Sequence, residues 1–299
     1  MTKVKTKTKK KINYVPYLML LPWIVGFIVF KVYPIVVSFF YSLQEYPILG
    51  DPEFIGLQNY IEIFTKDEIF RTSLVATLKY VLIGTPVVVI VAFFVAFILN
   101  FKLKGVNFFR TAYYIPSILG GNVAVSILWT MLFDVNGPVN SVLSIFTSGD
   151  VAINWTKDPN FAIFTLIILK AWQFGSTMLI FLSALQGVSQ ALYEAASLDG
   201  ASKVRQLFSI TVPIITPVIL FNAINVLVKA FQEFNSAYLI TKGGPNKTTY
   251  FLNLYIYEEA FLKGNYGYAS ALTWVLLAII GIFTIIIFKT SDNYVYYND

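Results

Sequence analysis

The sequence contains neither cysteine nor histidine among its 299 residues. Without cysteine there are no disulfides, thiolate metal sites or sulfur nucleophiles. Without histidine, the side chain that most often moves protons near neutral pH is missing too. Charge is also scarce: Asp, Glu, Lys and Arg make up 13% of the chain, about half of the ~25% typical of a soluble domain. No G-x-x-x-x-G-K-[ST] phosphate loop occurs, so ATP hydrolysis is not expected of this chain. A membrane enzyme relying on carboxylates alone survives these exclusions as an alternative. The net charge of +6 does not gather on a soluble face, so nucleic acid is not an expected partner.

What the chain has in excess is apolar surface. Hydrophobic residues reach 57%, with 27 Phe and 19 Tyr, types suited to lipid-facing and interfacial positions. One run starts at Tyr14, "YVPYLMLLPWIVGFIVF", is interrupted by Lys31 and resumes as "VYPIVVSFFYSL". Five more, at about 74–100, 111–133, 161–185, 207–230 and 268–288, approach or exceed the ~20 apolar residues that span a bilayer. The runs are continuously apolar, which argues against a β-barrel, and in lipid the backbone must then satisfy itself as helix. The expected fold is an all-α membrane protein with six transmembrane helices, embedded in membrane lipid. A basic start before an apolar run also describes a signal peptide. Here the run is too long and lacks a small-residue cleavage site, so retention is expected.

Lys and Arg placement orients the helices. The tail "MTKVKTKTKKK" is basic, and the second connection carries Lys102, Lys104 and Arg110. The first connection instead holds Glu45, Asp51, Glu53, Glu62, Asp67 and Glu68, and the third Asp134, Asp150 and Asp158. Both termini are therefore expected in the cytoplasm. The organisation expected is a basic cytoplasmic tail (1–13) and a first helix with an acidic external connection (14–72). A transmembrane domain (73–290) follows, with a cytoplasmic loop at about 186–213, and then a cytoplasmic C-terminal tail (291–299).

That loop, "YEAASLDGASKVRQLFSITVP", predicts a short helix over 188–197 and a turn at Asp199-Gly200, where Gly readily takes positive φ. A second helix is predicted from Ala201 or Ser202 into the next span, with Pro213 and Pro217 as kink sites. Read from chemistry alone, the loop is either an ordinary polar connection or a docking surface in which small residues admit a partner.

Helical periodicity also predicts polar stripes within the spans. Asn222, Asn225, Lys229, Gln232 and Ser236 share one face; Lys170, Gln173 and Thr177 share another, and Asn122, Ser126 and Trp129 a third. Lys170 is costly at mid-span, by about 2.5–3.5 kcal/mol on insertion scales. It can face a wet cavity, pair with a distant carboxylate such as Glu233, or snorkel outward. Trp129 and Trp172 offer flat apolar faces for a sugar, or simply pack in the bundle. Candidate path residues are thus Asn122, Trp129, Lys170, Trp172, Gln173, Asn222, Asn225 and Lys229. The stripes are mostly uncharged, which disfavours a strongly ionic solute; Lys170 and Lys229 keep an anionic sugar or sugar phosphate open.

Glu194-Ala195-Ala196, Gly200-Ala201 and Ile210-Thr211-Val212-Pro213 resemble the EAA loop of permease subunits of binding-protein-dependent ABC importers, with Val212 where Leu is usual. Further likeness to the maltose and multiple-sugar branch, first of its two permeases, lies in "PYLMLLPWIVGFIVFKVYPIVVSFFYS", "YYIPSILGGNVAVSILW", "TKGGPNKTTYFLNLYIYEEAF" and "GYASALTWVLLAIIGI". The resemblance implies a type I permease fold in a bacterial cytoplasmic membrane. It implies that Glu194, Ala195, Ala196, Asp199, Gly200 and Ala201 form a coupling element docked on an ATPase. Implied partners are a second permease in a heterodimer, two cytoplasmic ATPase subunits that bind ATP and Mg, and an extracellular solute-binding protein. The chain itself would hold no cofactor or metal and would not be an enzyme. The implied function is carbohydrate import by alternating access, oligosaccharide first; a sugar phosphate, a polyol or a stand-alone channel are the alternatives.

Overall fold

The computed structural model describes residues 15–101, 104–147 and 149–291. The basic tail (1–13), Lys102 and all of the C-terminal tail beyond residue 291 lie outside the described residues. In chain order the helices are α1 (Tyr17–Ser42), α2 (Gln58–Thr65), α3 (Glu68–Leu99), α4 (Val106–Leu119), α5 (Val123–Leu132), α6 (Pro138–Phe146) and α7 (Ala162–Trp172). They continue as α8 (Gly175–Gln186), α9 (Gln190–Leu198), α10 (Lys203–Ile214), α11 (Thr216–Phe231), α12 (Leu252–Tyr257) and α13 (Tyr266–Ser291). A small antiparallel ribbon, β1 (Gln44–Glu45) with β2 (Glu53–Phe54), sits between α1 and α2.

α1, α3 and α13 are each long and apolar enough to cross a bilayer alone; α4–α5, α7–α8 and α10–α11 reach that length only as pairs, bent by 106°, 47° and 71°. The apolar runs of the sequence thus become three long helices and three bent pairs. Local chemistry accounts for two of the bends. Between α4 and α5, Gly120 takes φ +58 and Asn122 starts the new helix by accepting the Val125 N–H at 2.8 Å. Between α10 and α11 only Ile215 intervenes, and Pro217 sits in the first turn of α11, where its missing N–H costs nothing. α7 and α8 part at Gln173 and Phe174, with no proline involved. There the close approach of α8 to α4 is decisive: a Cβ on Gly175 would lie 2.6 Å from the Tyr113 carbonyl oxygen.

α3 is the hub. Its buried positions Tyr80, Val81, Gly84, Val88, Ala92 and Ala96 recur at helical spacing, and other helices meet them. Tyr80 packs on Phe251 at 4.7 Å between ring centroids, Phe93 lies edge-on to Phe181 at 5.6 Å, and Ile167 fills the space beside Gly84. Lipid tails are as apolar as these side chains, so close packing and interhelical hydrogen bonds, rather than escape from water, hold such a bundle together. Two of those bonds reach α3 and α1: Leu252 N–H donates to Thr77 Oγ1 at 2.9 Å, and Trp274 Nε1 of α13 donates to Ser38 Oγ at 3.1 Å.

The connections sort to opposite ends. The first and last gather at one: Tyr266 N–H donates to the Tyr46 carbonyl at 2.9 Å, and Tyr255 and Tyr268 both donate to Asp67 Oδ2, at 2.7 and 2.6 Å. The third joins them, since Val139, Trp155 and Ile240 pack around Trp129, Phe133 and Leu169. The opposite end clusters Leu99, Val106, Leu185 and Val188, next to α9.

Candidate coupling element and transport path

α9 is alanine-rich, which favours helix, and it ends by a Schellman closure. Gly200 lies at φ +77, its N–H reaches the Ser197 carbonyl at 3.2 Å, and Ala201 N–H reaches that of Ala196 at 2.9 Å. These bonds satisfy carbonyls the helix end would otherwise orphan. Ser202 then caps α10 by accepting the Arg205 N–H. The helix–turn–helix that the sequence predicts is present, shifted by about two residues at its start. Glu194, Ala195, Asp199 and Gly200 are exposed, while Ala196 and Ala201 are half-buried. Leu198 is 90% exposed, and Val204 and Phe208 are exposed as well. Nothing lies within 4 Å of the position a Cβ would take on Gly200.

Three residues to which the sequence reading gave no bracing role fasten this element. Buried Gln206 donates from Nε2 to Ser197 Oγ at 2.9 Å and to the Ala201 carbonyl at 3.1 Å. Tyr193 and Thr211 join through their hydroxyls at 2.8 Å. α9 is therefore fastened to α10, which runs into α11 with only Ile215 between them. No sequence signal marks Gln206, whose neighbours on the helix, Ser202, Lys203 and Ser209, are polar as well.

The polar stripes are divided by the structure. On α11, Asn222 is buried within the chain, whereas Asn225, Lys229 and Gln232 are exposed. Asn225 is tied to its own helix through the Phe221 carbonyl at 2.8 Å. Asn122 caps α5 and also donates to the Leu119 carbonyl at 3.0 Å. Trp129 is buried and donates Nε1 to the Thr165 carbonyl at 3.1 Å. Trp172, 39% exposed, lies against Trp129 at 5.8 Å between centroids, so the two aromatics share one wall. Gln173 donates to the Gly120 carbonyl at 3.0 Å. Lys170 pairs with Glu233 at 3.2 Å, the carboxylate named from sequence among its three options. The structure thus brings Lys170, Gln173, Glu233 and the α4–α5 break together, and keeps Asn225 and Lys229 on a separate open face.

At the other end Asp67 is a node: Oδ1 caps α3 through Phe70 N–H at 2.8 Å, while Oδ2 takes the two tyrosines. Burial, and then the bond to Asp67, push the Tyr255 hydroxyl well above its ordinary pKa. Tyr250 is raised in the same way, by burial and its bond to Glu258.

With the geometry in place, comparison with known proteins is direct. Residues 70–295 match the family described as the binding-protein-dependent transport system inner membrane component. The chain belongs to that family. The match takes in every candidate residue from Asn122 to Lys229 as well as α9, and leaves α1, the ribbon and α2 outside. Like other inner membrane components of this family, the chain is a multi-pass membrane transport protein. It is 44% identical to the probable ABC transporter permease protein YesP of Bacillus subtilis (strain 168), over 98% of this chain and 95% of that one. It is 31% identical to the arabinooligosaccharides transport system permease protein AraP of the same organism, over 93% and 89%. Its fold matches a chain in the crystal structure of a bacterial alginate ABC transporter in complex with an alginate pentasaccharide-bound periplasmic protein, with a TM-score of 0.80 at 21% identity, covering 93% of this chain and 94% of that chain.

Proposed function

We propose that this chain is a permease subunit of an ATP-driven importer, that it crosses the cytoplasmic membrane six times with both termini inside, and that its solute is a carbohydrate, oligosaccharide first. Three of the crossings are the bent pairs. α9 with Gly200 is the coupling helix, seated in a cytoplasmic ATPase subunit that binds ATP and Mg. Two ATPase copies, a second permease and an extracellular solute-binding protein complete the assembly. Movement of the ATPases rocks α9, α10 and α11 as one piece and opens the path alternately to each side.

One observation carries the coupling assignment. α9 is held on its inner side by Gln206 and Tyr193, yet it offers Leu198 outward, and α10 beside it Val204 and Phe208, with most of each side chain left uncovered by this chain. A stand-alone channel has no use for a braced, uncovered lever. The solute assignment leans on the named sugar relative and on the exposed amides of Asn225 and Gln232. Exposed amides on a membrane helix belong against a wet path or a partner helix, not lipid. Lys170 is neutralised by Glu233, which lowers the case for an anionic solute; Lys229 forms no ion pair among the described residues and keeps a sugar phosphate as the second reading.

The test is reconstitution of the full complex in liposomes with its binding protein. ATP-dependent uptake of an oligosaccharide, with ATPase activity stimulated by the loaded binding protein, is expected. Solute flux through this chain without ATPase or binding protein would overturn the reading.

A further inference from the structure

We propose that Lys170 and Glu233, with water held against Tyr80, form a hydrated latch that positions the outer halves of the bent pairs and must open during transport. The inference rests on the permease reading above and deepens it by naming positioning residues.

The argument starts from where the chain is interrupted. Lys170 sits in the last turn of α7, and Gln173 in the gap before α8. Glu233 follows the end of α11 and uses its two oxygens differently. Oε2 takes Lys170 Nζ, while Oε1 accepts from Ser236 N at 3.1 Å and Ser236 Oγ at 2.9 Å. Gln173 reaches across to the Gly120 carbonyl at the α4–α5 break. One carboxylate and one amide thus tie together two helix breaks and the exit from α11. At such interruptions the backbone lacks continuous helical bonds and can absorb a hinge rotation.

A cavity of about 70 Å³ opens at this junction, lined among others by Tyr80, Lys170, Gln173, Glu233, Asn235 and Ser236. Tyr80 is 1% exposed, and its hydroxyl has no hydrogen-bond partner within the protein. A buried hydroxyl left unpaired is costly, the walls are polar, and the volume exceeds the ~30 Å³ share of one water in the liquid. Water is the ligand this chemistry takes. It also changes what the ion pair can do. A dry pair cannot separate without stranding two charges, whereas a pair beside water can be rehydrated as it parts. Lys170 spends one of its three donors on Glu233 and keeps others for that water.

Two variants separate a latch from a static brace. Lys170 and Glu233 are only partly buried, replacing even a buried ion pair by neutral side chains is often harmless to folding, and Glu233→Gln keeps an acceptor for Ser236. The double variant K170M/E233Q should therefore reach the membrane at the wild-type level, yet transport at least fivefold more slowly in the complete complex. Tyr80→Phe removes a hydroxyl with no protein partner, and should lower uptake at least threefold at unchanged protein level. Should the double variant fail to insert, Tyr80→Phe carries the decision. A third readout does not depend on which solute is carried. The chain lacks cysteine, so spin labels at Val142→Cys and Phe261→Cys report the outer end alone, with the complex nucleotide-free and nucleotide-trapped. The wild type should show two distances and K170M/E233Q one. Wild-type uptake in either variant, or unchanged distances in the double variant, overturns the proposal. A wild-type complex that carries no sugar, yet shows two distances that collapse to one in K170M/E233Q, would overturn the solute assignment and leave the latch standing.

Discussion

Replacing Gly200 separates backbone strain from docking. At φ +77 any residue with a Cβ is disfavoured, by ~1–2 kcal/mol in the left-handed region, or a factor of about 5–30 in the local equilibrium of the turn. Gly200→Ala meets only that cost, because no atom lies within 4 Å of the new Cβ. Gly200→Trp meets the same backbone cost, and its Cβ likewise finds no atom of this chain within 4 Å. The extra loss expected of the Trp variant is assigned to a partner surface that occupies the space in front of Gly200. Alanine should lower ATP-driven uptake a few-fold. Gly200→Asn should fall nearer the wild type, since Asn tolerates this conformation. Tryptophan should lower uptake more than tenfold and leave ATP hydrolysis running without response to the binding protein. The assay is paired uptake and hydrolysis in proteoliposomes, normalised to protein inserted. Equal uptake by the Trp and Ala variants would refute the docking argument.

Gln206→Leu removes two hydrogen bonds, one to Ser197 of α9 and one to Ala201 of the turn after it, at ~0.5–1.5 kcal/mol each; amide hydrogen exchange over α9 and the turn should accelerate correspondingly while the rest of the bundle is unchanged. Gly175→Val should lower the thermal midpoint of the purified protein, because its Cβ would lie 2.6 Å from the Tyr113 carbonyl and overpacking costs about 1–3 kcal/mol. Raising the pH should loosen the end where the first and last connections meet. Tyr255 has a folded-state pKa above its ordinary value of 10.0, chiefly through burial, so its contribution is fully present below pH ~10 and is lost as pH climbs above it. In Tyr255→Phe that alkaline loss should be smaller, measured as tryptophan fluorescence against pH.

How much of this was legible beforehand varies with the physics involved. The apolar runs were clear because lipid demands ~20 consecutive residues, and the α10–α11 bend was foreseeable from Pro213 and Pro217. The bend at Gln173 was not, because the apolar run continues through it and only tertiary partners mark it: the Gly175 approach to Tyr113 and the Gln173 bond to Gly120. The bend at Gly120 has a local mark in Gly120-Gly121-Asn122, which a reading of the run as one continuous span passed over. The turn at Asp199-Gly200 was readable because one backbone conformation calls for glycine. Periodicity put Asn222 and Asn225 on one face, but a stripe cannot say which edge of it turns inward. Asn222 went to the interior and Asn225 to the open side. Lys170 announced itself by cost alone, and pairing with a carboxylate such as Glu233 was one of the three options left open for it. Tyr80, an aromatic in an apolar run, gave no warning of its orphaned hydroxyl. Gln206 was missed for the opposite reason, since it sits in a polar stretch where a buried residue is not looked for.

The most direct test of the central claim, that α9 is the lever driven by the ATPase, is a crosslink from its most exposed apolar residue. Leu198→Cys is the sole cysteine in a chain without any, and can carry a short photoactivatable group in the assembled complex. The account predicts an adduct with the cytoplasmic ATPase subunit. An adduct with the extracellular binding protein instead, or labelling of Leu198→Cys by an impermeant reagent outside intact cells, would contradict it.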